Sequence, residues 1–438
     1  MKHILFLASL IFASPAFAYF GFHSSEAKLT FDAFAEISQD KEPTAEEQEK
    51  IAAKHFDFLF GDLALNETHG GPKNDGKASV TKLEKIKDGY RVYYSYEGTI
   101  VLASGPRTHL TIELPNNIHE MYLKFKKTGK CGDSDYPDEP EFSYFWSPRQ
   151  PGCKKVIKEG QDYQTIDATI ERLPNTEHTR PDYDRLPDGD GNIYISLLMG
   201  LNDSGNGRDP MESENTKTDD LNAINFRKIR KHLIRDLGFE SKGAWSHEQI
   251  RAVVDKDVRP LPYVEDFTQN YSGNRTGKIT VTMFFGPTDL TEDSWAFDYF
   301  YKRAIEESAV IIFDGHTGMG TNLTLPILEE KMKTTFNVPA NRYQILYANS
   351  CSSYGYYNLD FFKRKDRKNL NVITAGLETP FDGGVRTDVG MIEAVHNWAA
   401  RGTMVGFRTL MQRLESDNMS GVNGDEENPT SLRDFEFH

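Results

Sequence analysis

The chain has 438 residues, of which 38% are hydrophobic, and its 51 basic and 66 acidic residues give a formal net charge of -15 at pH 7. This acidic balance argues against partners that bind through bulk electrostatics, such as nucleic acid or anionic membrane surfaces. The length is typical of two to three domains, and the distribution of predicted elements favours two.

The first eighteen residues have the pattern of a secretory signal peptide. A basic start at Lys2 precedes an apolar run over residues 4–13 and the small-residue pattern Ala16-Phe17-Ala18. The run is well short of the ~20 apolar residues that span a bilayer, and no later stretch reaches that length. We therefore expect cleavage after Ala18, a secreted or periplasmic protein, and no membrane span.

Residues 19–174 predict a β-rich domain that contains one early helix. Thr44 and Glu47 have the spacing of a capping box ahead of that helix. Aromatic and β-branched segments such as Tyr90–Tyr96 and His109–Leu114 are typical of strands.

The chain has three cysteines, an odd number for an oxidising compartment. Cys131 and Cys153 lie in one loop-rich segment, and we expect them to form a disulfide. Cys351 is then the unpaired thiol, and it lies in a different kind of sequence from the loop-rich segment of the other two cysteines.

A Pro- and Gly-rich linker is predicted over residues 175–191, an α/β domain over 192–415 and an acidic tail over 416–438. Alternating apolar strands and helical patterns predict a mostly parallel sheet flanked by helices. The predicted strands are Ile193–Met199, Ile279–Phe285, Val310–Phe313, Gln344–Tyr347 and Val372–Ala375, and the predicted helices include Leu221–Leu237, Leu325–Phe336 and Val389–Ala400.

The stretch Asp188-Gly189-Asp190-Gly191-Asn192 is similar to the start of a calcium-binding loop. An EF-hand needs Gly at the sixth position and Glu at the twelfth, and this chain has Ile193 and Met199 there. A turn is therefore expected. No metal or cofactor is predicted, and a calcium requirement stays open.

Two of the predicted strands end in residues that carry chemistry. The strand Val310–Phe313 leads to His316, and the strand Gln344–Tyr347 leads to Cys351. Ligands of an open α/β sheet bind beyond the carboxyl ends of its strands, and an imidazole is the usual group that activates a thiol. We expect His316 and Cys351 to emerge side by side as a catalytic pair.

The residues around this pair suggest further roles. The amides of Gly318 and Cys351 are candidates for binding a developing oxyanion. Asp314 precedes His316 by two residues and is a candidate for orienting it or for lining the substrate pocket, although a structural role is favoured.

The motifs His316-Thr317-Gly318 and Cys351-Ser352-Ser353-Tyr354-Gly355 resemble those of the caspase-like cysteine peptidases, the group of caspases, metacaspases, legumains, gingipains and separases. The stretch from Asp220 to Arg227 is similar to the first catalytic-domain helix of caspases, so the resemblance covers residues 192–402. It implies a caspase-like catalytic domain and a protein or peptide substrate. It also implies thiol attack by Cys351, proton transfer through His316 and, at Lys217, a partial substitute for the basic residue that receives an acidic substrate side chain.

Three other interpretations stay open. The loop Gly315–Gly320 could cradle a phosphate. The order of Cys351, Asp382 or Asp388, and His396 matches an α/β-hydrolase esterase. Alternatively, the chain is a non-catalytic exported binding protein with a caspase-like scaffold, whose contact surface would consist of aromatic residues, namely Tyr93, Tyr94, Tyr96, Phe142, Tyr144, Phe145 and Trp146.

Overall fold

A computed structural model of the chain describes residues 19–20, 24–64, 69–174, 180–202, 210–211, 220–254, 261–273, 275–289, 294–379, 384–414 and 419–424. The predicted signal peptide, residues 1–18, lies outside the described residues. Within these ranges, none of the helices has both the length and the apolar composition to cross a membrane.

The N-terminal half forms an antiparallel sheet with three helices. Its elements are β1 (Tyr19–Phe20), β2 (Ser24–Ile37), α1 (Ala45–Phe56), α2 (Phe58–Ala64), β3 (His69–Pro72), β4 (Lys77–Ile86), β5 (Gly89–Ala103), β6 (His109–Pro115), α3 (Ile118–Thr128) and β7 (Tyr163–Arg172). Six of these strands form one sheet in the order β3-β5-β2-β7-β6, with β4 also paired to β5. Strand β1 belongs to the second sheet.

Alternation along the strands explains how this half is built. In β5 the side chains of Val92, Tyr94 and Tyr96 are buried, whereas those between them are half-buried. The predicted strands Tyr90–Tyr96 and His109–Leu114 are confirmed by β5 and β6. The capping box of Thr44 and Glu47 at the start of α1 is also confirmed.

The predicted disulfide between Cys131 and Cys153 is confirmed, and both cysteines are buried in the core of this half. The bond closes a loop of 22 residues. Closure of a loop of this length restricts the unfolded chain and stabilises the fold by about 3 kcal/mol.

The C-terminal half contains the remaining elements. They are β8 (Asn192–Gly200), α4 (Leu221–Arg235), β9 (Glu240–Ala244), α5 (His247–Val254), β10 (Tyr263–Ser272), β11 (Thr276–Gly286), α6 (Trp295–Glu307), β12 (Val310–Asp314), α7 (Leu325–Met332), β13 (Gln344–Asn349), α8 (Ser353–Phe362), β14 (Leu370–Thr374), α9 (Gly384–Arg401), α10 (Phe407–Leu414) and β15 (Gly421–Gly424). All five predicted strands are present with small differences at their ends.

These strands form a nine-stranded sheet in the order β1-β15-β14-β13-β12-β8-β11-β10-β9. The five central strands, from β14 to β11, are parallel, but the four outer pairings at the two edges are antiparallel. The prediction of a caspase-like, mostly parallel sheet is therefore wrong, and the sheet is mixed. The prediction missed the edges because their strands pair with segments that are distant in the sequence or joined by a hairpin.

Helices cover both faces of this sheet. One face packs on α4, α9 and α10 around Ile195, Phe226 and Trp398. The other packs on α5, α6, α7 and α8 around Phe284, Phe313 and Leu346. Because both faces are buried, the central strands are almost continuously apolar. Polar residues near the ends of these strands are therefore conspicuous.

Both the predicted linker and the predicted tail contain buried residues. In the predicted linker, Tyr183 and Leu186 are buried in the core of the C-terminal half, and the Tyr183 hydroxyl donates to the carbonyl of Val405. In the predicted acidic tail, Gly421–Gly424 form the buried strand β15 between β1 and β14. The turn predicted at Asp188 is confirmed, since its carboxylate accepts from the amides of Asp190 and Asn192.

Candidate active site

His316 leaves the sheet two residues after the end of β12. Its imidazole is exposed, and the side-chain amide of Asn322 holds its carbonyl at 2.7 Å. The imidazole Nε2 lies 3.1 Å from the carbonyl oxygen of Asn202, which follows β8. Because a carbonyl only accepts hydrogen bonds, Nε2 carries the proton, and Nδ1 is the basic nitrogen of the neutral ring.

Cys351 lies in the tight turn between β13 and α8. The next residue, Ser352, has a left-handed φ of 52°, which is unusual for a residue with a side chain. Its amide donates to the carbonyl of Leu377 at 2.9 Å. The hydroxyl of Ser353 donates to the carbonyl of Ala348 and accepts from the amide of Ala375. These bonds fix the half-buried thiol at the carboxyl edge of the sheet.

The strand register relates the two residues. Strands β12 and β13 are parallel neighbours, and Asp314 pairs with Asn349 at their ends. His316 and Cys351 each follow their paired residue by two positions. Since neighbouring strands lie ~4.8 Å apart, both residues leave the same edge of the sheet from adjacent strands.

The surroundings of the thiol favour its neutral form. Burial is the main factor that raises the pKa of Cys351, and the nearby carboxylate of Glu378 raises it further. Hydrogen bonds from Thr379, which follows β14, lower the pKa but do not offset the burial. In this arrangement Cys351 is a thiol at neutral pH, and a base must remove its proton before it acts as a nucleophile.

A buried carboxyl pair lies beneath the two strand ends. Asp314 at the end of β12 and Asp388 in α9 are 3% and 0% exposed, and their carboxyls form a hydrogen bond with each other. Burial raises the pKa of Asp314 to about 6 and raises the pKa of Asp388 well above its usual range. Two carboxyls in such contact share a proton, because both cannot ionise at low cost.

Asn349 connects this pair to β13. Its side-chain amide donates to Asp388 at 3.1 Å and to the hydroxyl of Thr387 at 3.0 Å. Asp314 is thus buried below the site, which agrees with a structural role and does not place it in a substrate pocket. Asn349, Asn202 and Thr379 were not singled out as parts of this site from the sequence, and Asp388 was named only as the acid of the esterase interpretation. The one available signal was the polar ending of two apolar strands.

Gly318 lies in the loop after His316 and has a φ of 54°. A side chain there would approach the Asn322 amide oxygen to 2.3 Å, so the loop requires glycine. Its carbonyl accepts from the amide and hydroxyl of Thr321. Its N–H has no acceptor among the described residues. The proposed oxyanion role of Gly318 and of the Cys351 amide stays a prediction.

The alternative sites are less well assembled. His396 lies in α9 and packs on Phe239. It follows Asp388 by two helical turns, so the two residues are about 12 Å apart along the axis of α9. The structure therefore does not bring His396 to Asp388 and Cys351 as an esterase would need. The loop Gly315–Gly320 does not open a helix directly, because α7 begins at Leu325. Lys217 and Asp382 lie outside the described residues.

The aromatic residues proposed as a contact surface are divided between the core and the surface. Four of them are at most 2% exposed, namely Tyr94, Tyr96, Phe142 and Trp146. The other three, Tyr93, Tyr144 and Phe145, are half-buried.

The N-terminal half contacts α8, the helix that follows Cys351. The carboxylate of Glu26 in β2 accepts from the ammonium of Lys73 and from the hydroxyl of Tyr354, both at 2.7 Å. All three side chains are buried. The amide of Asn74 donates to the carbonyl of Tyr356. The first turn of α8 is therefore held from both halves of the chain.

Comparisons with known proteins give no relative. No family model, no curated protein and no solved structure matches this chain.

Proposed function

We propose that this protein is an exported cysteine endopeptidase in which Cys351 is the nucleophile and His316 the base. The observation that carries the proposal is the shared register of β12 and β13, which brings both residues to one edge of the sheet on adjacent strands. The similarity of the two motifs to those of caspase-like peptidases adds support, whereas the mixed sheet is not part of that similarity.

The proposed reaction begins when a peptide carbonyl reaches Cys351. The thiol proton passes to Nδ1 of His316 while sulfur bonds to the carbonyl carbon, and the carbonyl oxygen takes up negative charge. His316 then gives the proton to the leaving amine as the carbon–nitrogen bond breaks. Water attacks the thioester with His316 again as base, and this step releases the acid product and restores the thiol.

The backbone around the thiol suits this sequence of steps. The N–H of Gly318 is available to an oxyanion, and a donor in that role typically contributes ~3 kcal/mol to catalysis. Asn202 favours the imidazole tautomer whose basic nitrogen is Nδ1. Because the thiol is neutral in the free protein, proton transfer accompanies attack on the substrate.

Export is supported by two features of the chain. Residues 1–18 have the pattern of a signal peptide, and the disulfide between Cys131 and Cys153 is typical of an oxidising compartment.

The decisive experiment compares the hydrolysis of a mixed peptide library by the purified chain and by two variants, Cys351→Ala and His316→Ala, under reducing conditions. Both variants should lose at least 1,000-fold in kcat/KM, because the nucleophile and its base act as one unit. The exposed histidine of α5 provides the matched control, and His247→Ala should keep the activity. His396→Gln tests the esterase interpretation, which predicts that this variant is inactive. Full activity of Cys351→Ala would exclude the proposal.

A non-catalytic binding protein is the second candidate, and the raised pKa of Cys351 favours it. An unactivated thiol reacts slowly with alkylating agents. If iodoacetamide does not modify Cys351 in the folded chain and the peptide library is not cleaved, this second candidate replaces the first.

A further inference from the structure

A cavity of about 540 Å³ lies between the two halves of the chain, next to the candidate active site. Its walls are rich in aromatic side chains. The rings of Phe60 and Tyr356 stack with centroids 4.9 Å apart, and Tyr144 lies 5.3 Å from Phe60 and 6.0 Å from Tyr356. The N-terminal half and α8 thus contribute to one shared pocket, which we call the aromatic pocket.

The aromatic pocket adjoins both candidate catalytic residues. Tyr356 follows Cys351 by five residues in α8; burial is the main factor that raises the pKa of Tyr356, and the Cys351 side chain is close enough to add to the shift. Met319 and Gly320 line the other side of the pocket, three and four residues after His316. The pocket therefore lies beside the segments that carry both candidate catalytic residues, where a side chain of a bound polypeptide could enter it.

The charge in this pocket is negative. Asp57, the C-cap of α1, lines it, and its carboxylate has no hydrogen-bond or ion-pair partner within the described residues. The surrounding walls raise the pKa of Asp57 to about 6, and Lys54, one turn earlier in α1, lowers it. The carboxylate is thus mostly ionised at neutral pH.

The other charged groups of the pocket have partners. Asp360 in α8 pairs with Lys363 at 3.1 Å, and the ammonium of Lys73 is bound to Glu26. The carboxylate of Asp57 is consequently the unbalanced charge among the described pocket residues. Aromatic faces beside a carboxylate are a good environment for a planar guanidinium, which stacks on rings and pairs with carboxylates.

We propose that the aromatic pocket binds an arginine side chain of the polypeptide substrate, with the guanidinium against the outer face of the stacked Phe60 and Tyr356 rings and paired with the carboxylate of Asp57. This inference rests on the proposed peptidase function, since it names the substrate class of that site. A lysine side chain has the same charge but lacks the planar stacking group, so it should bind less tightly.

Binding to the Cys351→Ala variant tests the proposal without any need for catalysis. The probes are three fluorescent pools of random decapeptides with one fixed arginine, lysine or citrulline, where citrulline has nearly the shape of arginine without its charge. We expect the arginine pool to have a dissociation constant at least tenfold below that of the citrulline pool, with lysine between them. Equal constants for arginine and citrulline would overturn the proposal.

The variants locate the effect. Adding Asp57→Asn should reduce the ratio of the arginine and citrulline constants to about one, whereas Asp135→Asn, at an exposed carboxylate in the disulfide loop, should keep the ratio. Tyr356→Leu should weaken arginine binding more than lysine binding. An unchanged ratio in a folded Asp57→Asn protein excludes this pocket as the binding site.

The pH dependence adds a second readout. Protonation of Asp57 removes its charge, so the preference for arginine over citrulline should fall as the pH drops through about 6. The other titratable groups near this carboxylate are Lys54 and three tyrosines, Tyr94, Tyr96 and Tyr144, and the pocket is also lined by Lys73 and Asp360. A preference that is constant between pH 5 and pH 8 contradicts the role of Asp57. A clear preference for arginine without hydrolysis by the wild type would overturn the peptidase function alone.

Discussion

Two groups of buried polar side chains adjoin the turn that carries Cys351, and their charges are arranged differently. Glu26, Lys73 and Tyr354 form a contact between the two halves in which opposite charges meet. Asp314 and Asp388 lie under the strand ends as two carboxyls, and no lysine or arginine pairs with either within the described ranges. In the first arrangement opposite charges pair with each other, whereas the second must hold a proton.

This difference indicates that the group of Glu26, Lys73 and Tyr354 has a structural role, whereas the pair of Asp314 and Asp388 lowers the stability of the fold. A buried pair of opposite charges is costly to break, although it contributes little beyond well-packed apolar residues. A buried pair of like charges lowers stability, and such costs are often found at functional sites. We therefore expect the contact of Glu26 and Lys73 to fix the position of α8, and the carboxyl pair to make the active-site edge depend on pH.

Removing the cation of the balanced group should have the largest effect. Lys73→Met leaves Glu26 buried with a hydroxyl as its remaining partner, and loss of one partner of a buried pair costs about 3–5 kcal/mol. Urea unfolding at pH 7 measures this change. Lys28→Met is the matched control, because Lys28 pairs with Glu97 at the surface of the same sheet and should cost less than about 1 kcal/mol. Equal losses in the two variants would contradict the comparison.

Removing one carboxyl of the unbalanced group should change the pH dependence. Both carboxyls have raised pKa values, so the folded state binds more protons than the unfolded chain, and stability falls as the pH rises above about 4. Asp388→Asn removes one of these protons. The free energy of unfolding of this variant should therefore fall less steeply with pH than that of the wild type. The two slopes should differ by about 1.4 kcal/mol per pH unit between roughly pH 5 and pH 7.

Urea unfolding at pH 5, 6, 7 and 8 checks this expectation. The variant should gain stability relative to the wild type as the pH rises, with Asp40→Asn as the control at an exposed carboxyl. Parallel curves for the wild type and Asp388→Asn would show that the pair does not hold an additional proton in this range.

The same contrast separates what the sequence predicts from what it does not. The central strands are apolar on both faces and are recognised locally. His316 and Cys351 follow two of them, so their position at one edge comes from the general rule for α/β sheets. Both the disulfide and the free thiol follow from the cysteine count.

The remaining features depend on contacts between distant parts of the chain. Strand β15 pairs with β1 across almost the whole sequence, and this pairing helps to make the sheet mixed. Tyr354 and Glu26 are 328 residues apart. Asp388 meets Asp314 only because α9 packs over the end of β12. No local pattern of residues encodes such contacts, so neither the mixed sheet nor the charged groups could be predicted.

The smallest effect is expected where a donor is lost but the charge balance stays. Tyr354→Phe removes the hydroxyl that donates to Glu26, while Lys73 still pairs with the same carboxylate oxygen. The loss should be about 1–2 kcal/mol by urea unfolding, because one hydrogen bond to a charged group is removed. Tyr299→Phe, at a half-buried tyrosine of α6, is the control and should change stability by less than about 0.5 kcal/mol.

The size of this effect relative to that of Lys73→Met decides the comparison. If charge balance is the main factor, Tyr354→Phe costs clearly less than Lys73→Met, and the double variant shows a coupling between the two side chains. If both single variants cost the same, the hydrogen bond matters as much as the charge. The contact that holds α8 would then be a polar network in which no member dominates, and the contrast with the carboxyl pair would rest on proton binding alone.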